Sequence, residues 1–192
     1  MSHWRECEIL YEKLLHSAAP KEYLNRDRGI PDSTISDLRI GYCDYNTKDS
    51  LGINLEGRIT FPIKDLSGDI LGFGGRIFDG ESDSKYINPS SESYDKSGTL
   101  YNLDIASDYI LASGSAIVVE GYTDVASLWT YGVRNVVATC GTAMTRRQLR
   151  LIKRFAEEVY ILYDDDKSGN SSASRVLKSL EIESFPVYIA SG

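Results

Sequence analysis

The 192-residue sequence predicts an α/β protein, with a parallel sheet flanked by helices in its second half and a smaller α+β part before it. Three observations lead to this fold class. Short β-branched runs alternate with helical patterns over residues 116–192, as in βαβ units. Two extended runs with a turn between them occupy residues 58–77, which is typical of a β-hairpin. Apolar side chains recur at helical spacing in residues 4–15.

The first predicted elements are three helices. The apolar side chains of the first recur every three or four residues: Trp4, Cys7, Tyr11, Leu14 and Leu15. A second, short helix is predicted near Lys21–Arg26 and ends at Gly29. Start signals at Pro31 predict a third helix through Leu38, which we expect Gly41 to close.

The hairpin follows the helices. Its predicted strands are Arg58–Ile63 and Ile70–Ile77, and the polar residues Asp65–Asp69 form the turn between them. The next stretch, Asp79–Asp95, is rich in Ser, Asp, Gly and Glu and is therefore predicted to be a loop. The more apolar segment Lys85–Asn88 interrupts it.

The second half alternates four predicted strands with three predicted helices. The strands are Ala116–Val119, Asn135–Ala138, Val159–Tyr163 and Pro186–Ile189, and the helices are Tyr122–Tyr131, Thr145–Phe155 and Asn170–Leu180. Because the boundary between the halves falls near Ser113–Ser115, we expect one domain over residues 1–113 and another over residues 114–192. Ligands of such sheets bind beyond the carboxyl ends of the strands.

Carboxylates follow two of these strands at that edge. Glu120 comes directly after the first strand, and Asp124 lies in the first turn of the next helix. Asp164 and Asp166 end the third strand, and alternation along an extended chain points both side chains the same way. Like charges this close repel unless a cation intervenes, and hard oxygen ligands suit Mg²⁺ or Mn²⁺. The sequence therefore predicts a divalent-metal site.

These acids also admit structural interpretations. Acidic side chains are favoured at a helix N-terminus by the macrodipole, which alone could account for Asp124. Asp164 and Asp166 could belong to a solvated turn, with Asp166 capping the following helix. The sequence by itself leaves both interpretations open.

Composition limits the function classes. The net charge of −7 argues against a broadly basic nucleic-acid surface. The net negative charge is confined to the first part of the chain, because residues 1–110 hold 12 basic and 19 acidic side chains, whereas residues 111–192 hold nine of each. No apolar run approaches the roughly 20 residues that cross a bilayer, and the first residues lack the order of a secretory signal. The three cysteines and two histidines do not form a paired zinc-ligand spacing, so no zinc is expected.

The spacing of the acids resembles a known domain. A strand followed by Glu-Gly-x-x-Asp at Glu120–Asp124 is followed, about forty residues later, by a strand and Asp-x-Asp-x-x-Gly at Asp164–Gly169. This pattern is similar to that of the TOPRIM domain of topoisomerases, bacterial-type primases and several nucleases. One departure is Asp165, which stands where the family has glycine and adds a charge.

Within that group the sequence most resembles the DnaG-like bacterial primases. The second half matches at Glu120–Val125, Ala138–Thr145 and Asp166–Gly169. In the first half, six short motifs fall in the order of that family's N-terminal polymerase lobe: Arg28–Ile30, Ile40–Tyr42, Phe61–Ile63, Gly72–Arg76, Lys85–Asn88 and Leu100–Leu103. The resemblance implies a TOPRIM sheet preceded by a smaller α+β polymerase lobe.

The resemblance further implies a nucleotidyltransferase that synthesises RNA primers on single-stranded DNA from ribonucleoside triphosphates, with two Mg²⁺ or Mn²⁺ ions. Glu120, Asp164 and Asp166 would be direct ligands, and Asp124 would ligate or orient them as a fourth catalytic residue. The residues that match the triphosphate-binding positions of the family are Lys85, Arg76, Arg58 and Asn88.

Partners and context follow from the same resemblance. We expect a monomer in the cytoplasm of a bacterial or phage-infected cell, with no membrane contact and with helicase binding through regions absent here. The TOPRIM domain is expected to be truncated at its C-terminal end. Two alternatives stay open: a metal-dependent TOPRIM nuclease, and a catalytically silent module that binds nucleic acid or protein.

Overall fold

The computed structural model of the chain describes residues 3–44, 55–79, 84–89, 95–140, 143–163 and 185–189. The chain forms two compact units, Met1–Tyr94 and Asp95–Gly192. The domain division predicted at residue 113 differs from this grouping and remains a prediction. Within the described ranges, no helix is both long and apolar enough to cross a lipid bilayer.

Helices open the first unit, as the sequence predicts. Helix α1 spans His3–Leu15 and buries Cys7, Leu10 and Leu14 on one side, which confirms the amphipathic pattern. Helix α2, Ala18–Glu22, continues into a π-helical turn at Tyr23–Asp27. Helix α3 spans Asp32–Asp37 and begins directly after Pro31.

The end of α3 differs from the prediction. Arg39, with φ 51°, takes the left-handed position that closes the helix, and the Ile40 amide donates to the Ile35 carbonyl at 3.0 Å. Gly41 instead begins the first strand, where α1 crosses it closely. A Cβ at Gly41 would lie 2.7 Å from the carbonyl carbon of Leu10. The prediction that Gly41 closes the helix is therefore wrong, because its small size serves packing against α1.

The first unit contains an antiparallel sheet in the order β1-β2-β3-β4. Its strands are β1 Gly41–Cys43, β2 Arg58–Lys64, β3 Ile70–Ile77 and β4 Tyr86–Ile87. Strands β2 and β3 form the predicted hairpin. The turn between them is fixed by the Asp65 carboxylate, which accepts hydrogen bonds from the amides of Ser67 and Asp69 at 2.9 and 3.0 Å.

The second unit contains the predicted parallel sheet, in the order β6-β5-β7-β8. Its elements in chain order are α4 Leu103–Ser113, β5 Ser115–Val119, α5 Tyr122–Thr130, β6 Val136–Ala138, α6 Arg146–Ile152, β7 Glu158–Ile161 and β8 Val187–Ile189. Helix α6 is three residues shorter at its end than the sequence predicts. The helix predicted at residues 170–180 lies outside the described residues.

One apolar core joins α4 and α6 to the parallel sheet. Ala106 and Ile110 of α4 and Leu149 of α6 are completely buried, and they belong to the same cluster as Val118 of β5. Burying such side chains contributes about 1.5–3 kcal/mol each. This packing fixes the sheet whose carboxyl edge carries Glu120.

Gln148 anchors the start of α6. Its Oε1 accepts from the Thr145 amide at 2.9 Å, and the Thr145 hydroxyl accepts from the Gln148 amide at 3.1 Å, which completes a capping box. Its Nε2 donates to the carbonyls of Lys96 and Thr99 at 3.1 and 2.8 Å. Gln148 is fully buried, so these peptide groups depend on its amide.

We expect Gln148→Met to lower the free energy of unfolding by about 2–3 kcal/mol, because it leaves three partly buried peptide groups without their hydrogen bonds to Gln148. Urea denaturation measures the change. Arg150→Met, on the exposed side of the same helix, is the matched control and should change stability by less than about 0.5 kcal/mol. Equal effects of the two substitutions would contradict the anchoring role.

Candidate active site

Two acidic residues lie at the carboxyl edge of the parallel sheet. Glu120 follows the last residue of β5 and is half-buried, and Gly121 then begins α5 as its N-cap. Buried β-branched residues of β5 define the strand, and Gly121 leaves room for the Asp124 carboxylate, because a Cβ at Gly121 would lie 3.2 Å from Asp124 Oδ2. The predicted position of Glu120, at the mouth of a strand-to-helix turn, is therefore found in the structure.

Asp124 is the third residue of α5. Its carboxylate Oδ2 accepts a hydrogen bond from the Gly121 amide at 2.8 Å, which forms the reciprocal half of a capping box. This contact matches the helix-start interpretation of Asp124. It also fixes the turn that carries Glu120, so the same carboxylate orients its neighbour.

The end of β6 is tied to Glu120 through the backbone. The Cys140 amide donates to the Glu120 carbonyl at 2.9 Å, and Cys140 adopts a left-handed conformation with φ 57°. Such a conformation is uncommon outside glycine and often occurs near functional sites. Burial raises the pKa of Cys140 to about 12, so the thiol is neutral at neutral pH and is not a nucleophile.

Tyr163 lies two residues after the end of β7, directly before Asp164. Its hydroxyl accepts a hydrogen bond from the Met144 amide at 3.0 Å, which joins the approach to α6 to this strand end. Burial is the main reason that the pKa of Tyr163 lies above its usual value. Hydrogen bonds with the Thr139 side chain and the Met144 backbone lower the pKa of Tyr163, whereas the charge of Glu120 raises it. Glu120 and Tyr163 thus occupy the same edge of the sheet.

The carboxylates suit a divalent cation by their chemistry. Glu120 and Asp124 offer hard oxygen ligands, which Mg²⁺ and Mn²⁺ prefer. Asp164 and Asp166 lie outside the described residues. In the part of the chain that the structure describes, no three His, Cys, Asp or Glu side chains form a cluster able to hold an ion. The described donors fit part of such a site.

In the first unit, Arg76 is held between two tyrosines. Its Nε donates to the Tyr23 hydroxyl at 3.0 Å and its Nη1 donates to the Tyr86 hydroxyl. The guanidinium also lies over both rings, 5.8 Å from the Tyr23 centroid and 4.9 Å from the Tyr86 centroid. Arg76 is only 3% exposed, so its main observed contacts are internal.

Arg58 makes different contacts. Its Nη1 donates to the carbonyls of Ser84 and Lys85 at 3.0 and 3.3 Å, and burial lowers its pKa. Arg58 faces Ile77 across the hairpin, whereas Arg76 faces the next residue, Ile59. Because neighbouring residues of a strand point to opposite faces, the side chains of Arg58 and Arg76 leave the hairpin on opposite faces.

The remaining predicted nucleotide-binding residues flank β4. Lys85 is exposed directly before the strand, and Asn88 follows it and is half-buried. The backbone carbonyl of Lys85 thus lies next to the Arg58 guanidinium. Arg58 and Arg76, in contrast, lie on opposite faces of the hairpin. Sequence reasoning did not find Tyr23 or Tyr86 as partners of Arg76, since they lie 53 and 10 residues away from it.

Two family models match the chain. The Toprim-like model matches residues 117–191, and the model of the DNA primase catalytic core, N-terminal domain, matches residues 46–107. The DNA primase of Aquifex aeolicus is 36% identical to the chain, over 98% of the chain and 43% of that protein. The chain spans 21% to 43% of the length of the curated relatives that it matches.

Solved structures agree with these matches. The crystal structure of the Aquifex aeolicus primase, with its zinc-binding and RNA polymerase domains, has a TM-score of 0.86 and 32% identity, and covers 96% of this chain and 52% of that chain. A DnaG primase catalytic domain bound to single-stranded DNA has a TM-score of 0.78 and 25% identity, and covers 96% of this chain and 70% of that chain.

Proposed function

The chain belongs to the DnaG-like bacterial primases, and from that premise we propose that it works as part of a primase catalytic core. Its reaction is the synthesis of short RNA primers on single-stranded DNA by metal-dependent nucleotidyl transfer. The observation that supports this most directly is Glu120, half-buried at the carboxyl end of β5, whose parallel neighbour β7 leads into Tyr163 and Asp164.

Glu120, Asp164 and Asp166 are the proposed ligands of two Mg²⁺ or Mn²⁺ ions. Such ions, when bound, lower the negative charge on a triphosphate and make a 3′-hydroxyl a better nucleophile. The protein's own part is to hold the carboxylates in place. Asp124 does this through its hydrogen bond to the Gly121 amide, which fixes the turn after β5.

The first unit is proposed to bind the incoming ribonucleoside triphosphate. Lys85 is exposed and carries a compact charge suited to phosphate, and Asn88 lies three residues further along the chain. Arg58 supports this segment by donating to the carbonyls of Ser84 and Lys85. Arg76, enclosed by its two tyrosines, acts on the same segment through Tyr86.

Single-stranded DNA is the proposed template, as the DNA-bound DnaG catalytic domain supports. A replicative helicase is a further proposed partner, which would bind regions of the relatives that this chain does not cover, since it covers 43% of the Aquifex primase. All the proposed metal ligands belong to one chain, and the catalytic unit is therefore proposed to be a monomer.

Primer extension tests this proposal. The chain is incubated with Mn²⁺, labelled ribonucleotides and a DNA template that carries a short annealed RNA primer, so that extension is measured independently of initiation. Template-directed RNA products that vanish with EDTA are the expected result. Fragmentation of the DNA without synthesis would instead establish a nuclease, and absence of both products and Mn²⁺ binding would establish a silent module.

A further inference from the structure

Exposed arginines line one side of α6 and the turn after it. Arg146 and Arg150 are exposed and four residues apart, which places them on one side of α6, and Arg154, also exposed, lies in the turn that follows the helix. Leu149 and Ile152 of the same helix are completely buried against the sheet. We name these three residues the α6 arginine stripe. Arg146 and Arg150 are about 6 Å apart along the helix axis.

The charges at the start of α6 are opposite to what helix stability favours. Thr145 is the N-cap, so Arg146 and Arg147 are the first two helical residues, and the first turn contains no acidic residue. Cations at a helix N-terminus oppose the macrodipole, which favours acidic side chains there. The capping box of Thr145 and Gln148 stabilises the helix in spite of this repulsion. The helix macrodipole therefore does not favour arginine at these two positions.

Nearby groups add to the positive charge or leave it exposed. The Arg147 guanidinium forms an ion pair with Asp95 at 2.6 Å, but both side chains are about half exposed, so solvent screens the pair. Lys153 lies over the Phe185 ring, 5.2 Å from its centroid, and Arg154 lies over the Phe155 ring at 5.6 Å. These aromatic contacts hold the cations against the protein surface without neutralising them.

The stripe begins at the edge of the sheet that carries the candidate active site. Residue Met144, two positions before Arg146, donates its amide to the hydroxyl of Tyr163. Tyr163 follows β7, and Glu120 follows its parallel neighbour β5, so both lie at the same edge of the sheet. A strand of nucleic acid that leaves the carboxyl edge of the sheet along α6 would therefore meet a row of guanidinium groups.

We propose that the α6 arginine stripe binds the phosphate backbone of the single-stranded DNA template. The identity of this partner rests on the proposed function, whereas the charge pattern does not. Arginine binds phosphate through paired N–H donors, and a row of such contacts provides affinity without reading sequence. The stripe is thus a basic surface within a chain whose net charge is −7.

The test measures binding of a fluorescein-labelled oligothymidylate to the whole chain by fluorescence anisotropy, over a series of KCl concentrations and with EDTA present. Arg146→Gln/Arg150→Gln is compared with Arg5→Gln/Arg26→Gln, which removes the same charge from exposed helical positions in the first unit. Arg146→Lys/Arg150→Lys keeps the charge of the stripe. Because EDTA removes catalysis and metal binding, the result is independent of the proposed reaction.

We expect the stripe variant, Arg146→Gln/Arg150→Gln, to bind about tenfold more weakly. The salt slope, which is the slope of the logarithm of the binding constant against the logarithm of the KCl concentration, should be smaller in magnitude by about 1.4, as for the loss of two phosphate contacts to a single strand. The lysine variant should retain the salt slope, and the variant in the first unit should bind like the original chain. Unchanged affinity and slope in the stripe variant, or equal losses in both glutamine variants, would overturn the inference. Melting temperatures check that each variant is folded.

Discussion

Primer extension by Glu120→Gln is expected to fall by about a thousandfold or more, with the melting temperature unchanged within error. The substitution keeps the size and one acceptor oxygen of the side chain but removes the negative charge. A metal ligand without that charge binds a divalent cation weakly and stabilises the transition state poorly. Single-turnover extension of an annealed primer, at several Mn²⁺ concentrations, measures the loss and shows whether excess metal restores part of it.

Two further variants make the result specific. Glu157→Gln removes a charge from an exposed glutamate that precedes β7, at the opposite end of that strand from Tyr163, and should leave extension unchanged. Asp124→Asn retains an oxygen that can accept from the Gly121 amide, so it should keep the turn and lose less activity than Glu120→Gln. A Glu120→Gln protein that extends primers at the original rate would contradict the assignment of Glu120.

Arg76→Met should destabilise the protein by about 3–5 kcal/mol. The substitution removes the donors that two tyrosine hydroxyls accept from, and it also removes the cation from between their rings. Arg76 is 3% exposed, so water does not readily replace these contacts. Chemical denaturation followed by circular dichroism measures the loss, and we expect the midpoint to shift with the slope unchanged.

Arg28→Met is the matched control for Arg76. Arg28 donates to the same Tyr23 hydroxyl, at 2.7 Å, and lies over the same ring, yet its side chain is exposed. Its loss should therefore cost less than about 1 kcal/mol. An Arg76→Met protein that is as stable as Arg28→Met but binds ribonucleoside triphosphate poorly would contradict this account. Arg76 would then contact the nucleotide directly instead of stabilising the fold through its two tyrosines.

Local periodicity predicted most of the fold. The opening helix buries residues at helical spacing, and the β2–β3 hairpin and the alternating second half could be identified from apolar runs bounded by turn residues, although β2 is buried along its whole length. The end of α3 could not. A glycine after a helix usually closes it, but here Arg39 takes that position and Gly41 is required where α1 crosses β1. That requirement depends on packing between distant segments.

The candidate site was predictable to the extent that it depends on strand ends. Glu120 follows a buried strand and Asp124 falls in the next helical turn, so both positions could be derived from the order of residues. The contact between Tyr163 and Met144 could not, because it joins residues 19 apart in the sequence. The face from which each arginine leaves the hairpin depends on strand register, which the motifs alone do not specify.

The assignment of the metal ligands can be observed directly in a crystal of the chain grown with Mn²⁺ and a ribonucleoside triphosphate, using the anomalous scattering of manganese. We predict anomalous peaks in contact with carboxylate oxygens of Glu120, Asp164 and Asp166, at about 2.1 Å. Triphosphate oxygens should complete the coordination. Manganese bound elsewhere on the chain, with Glu120 and both aspartates away from it, would contradict the proposed catalytic site.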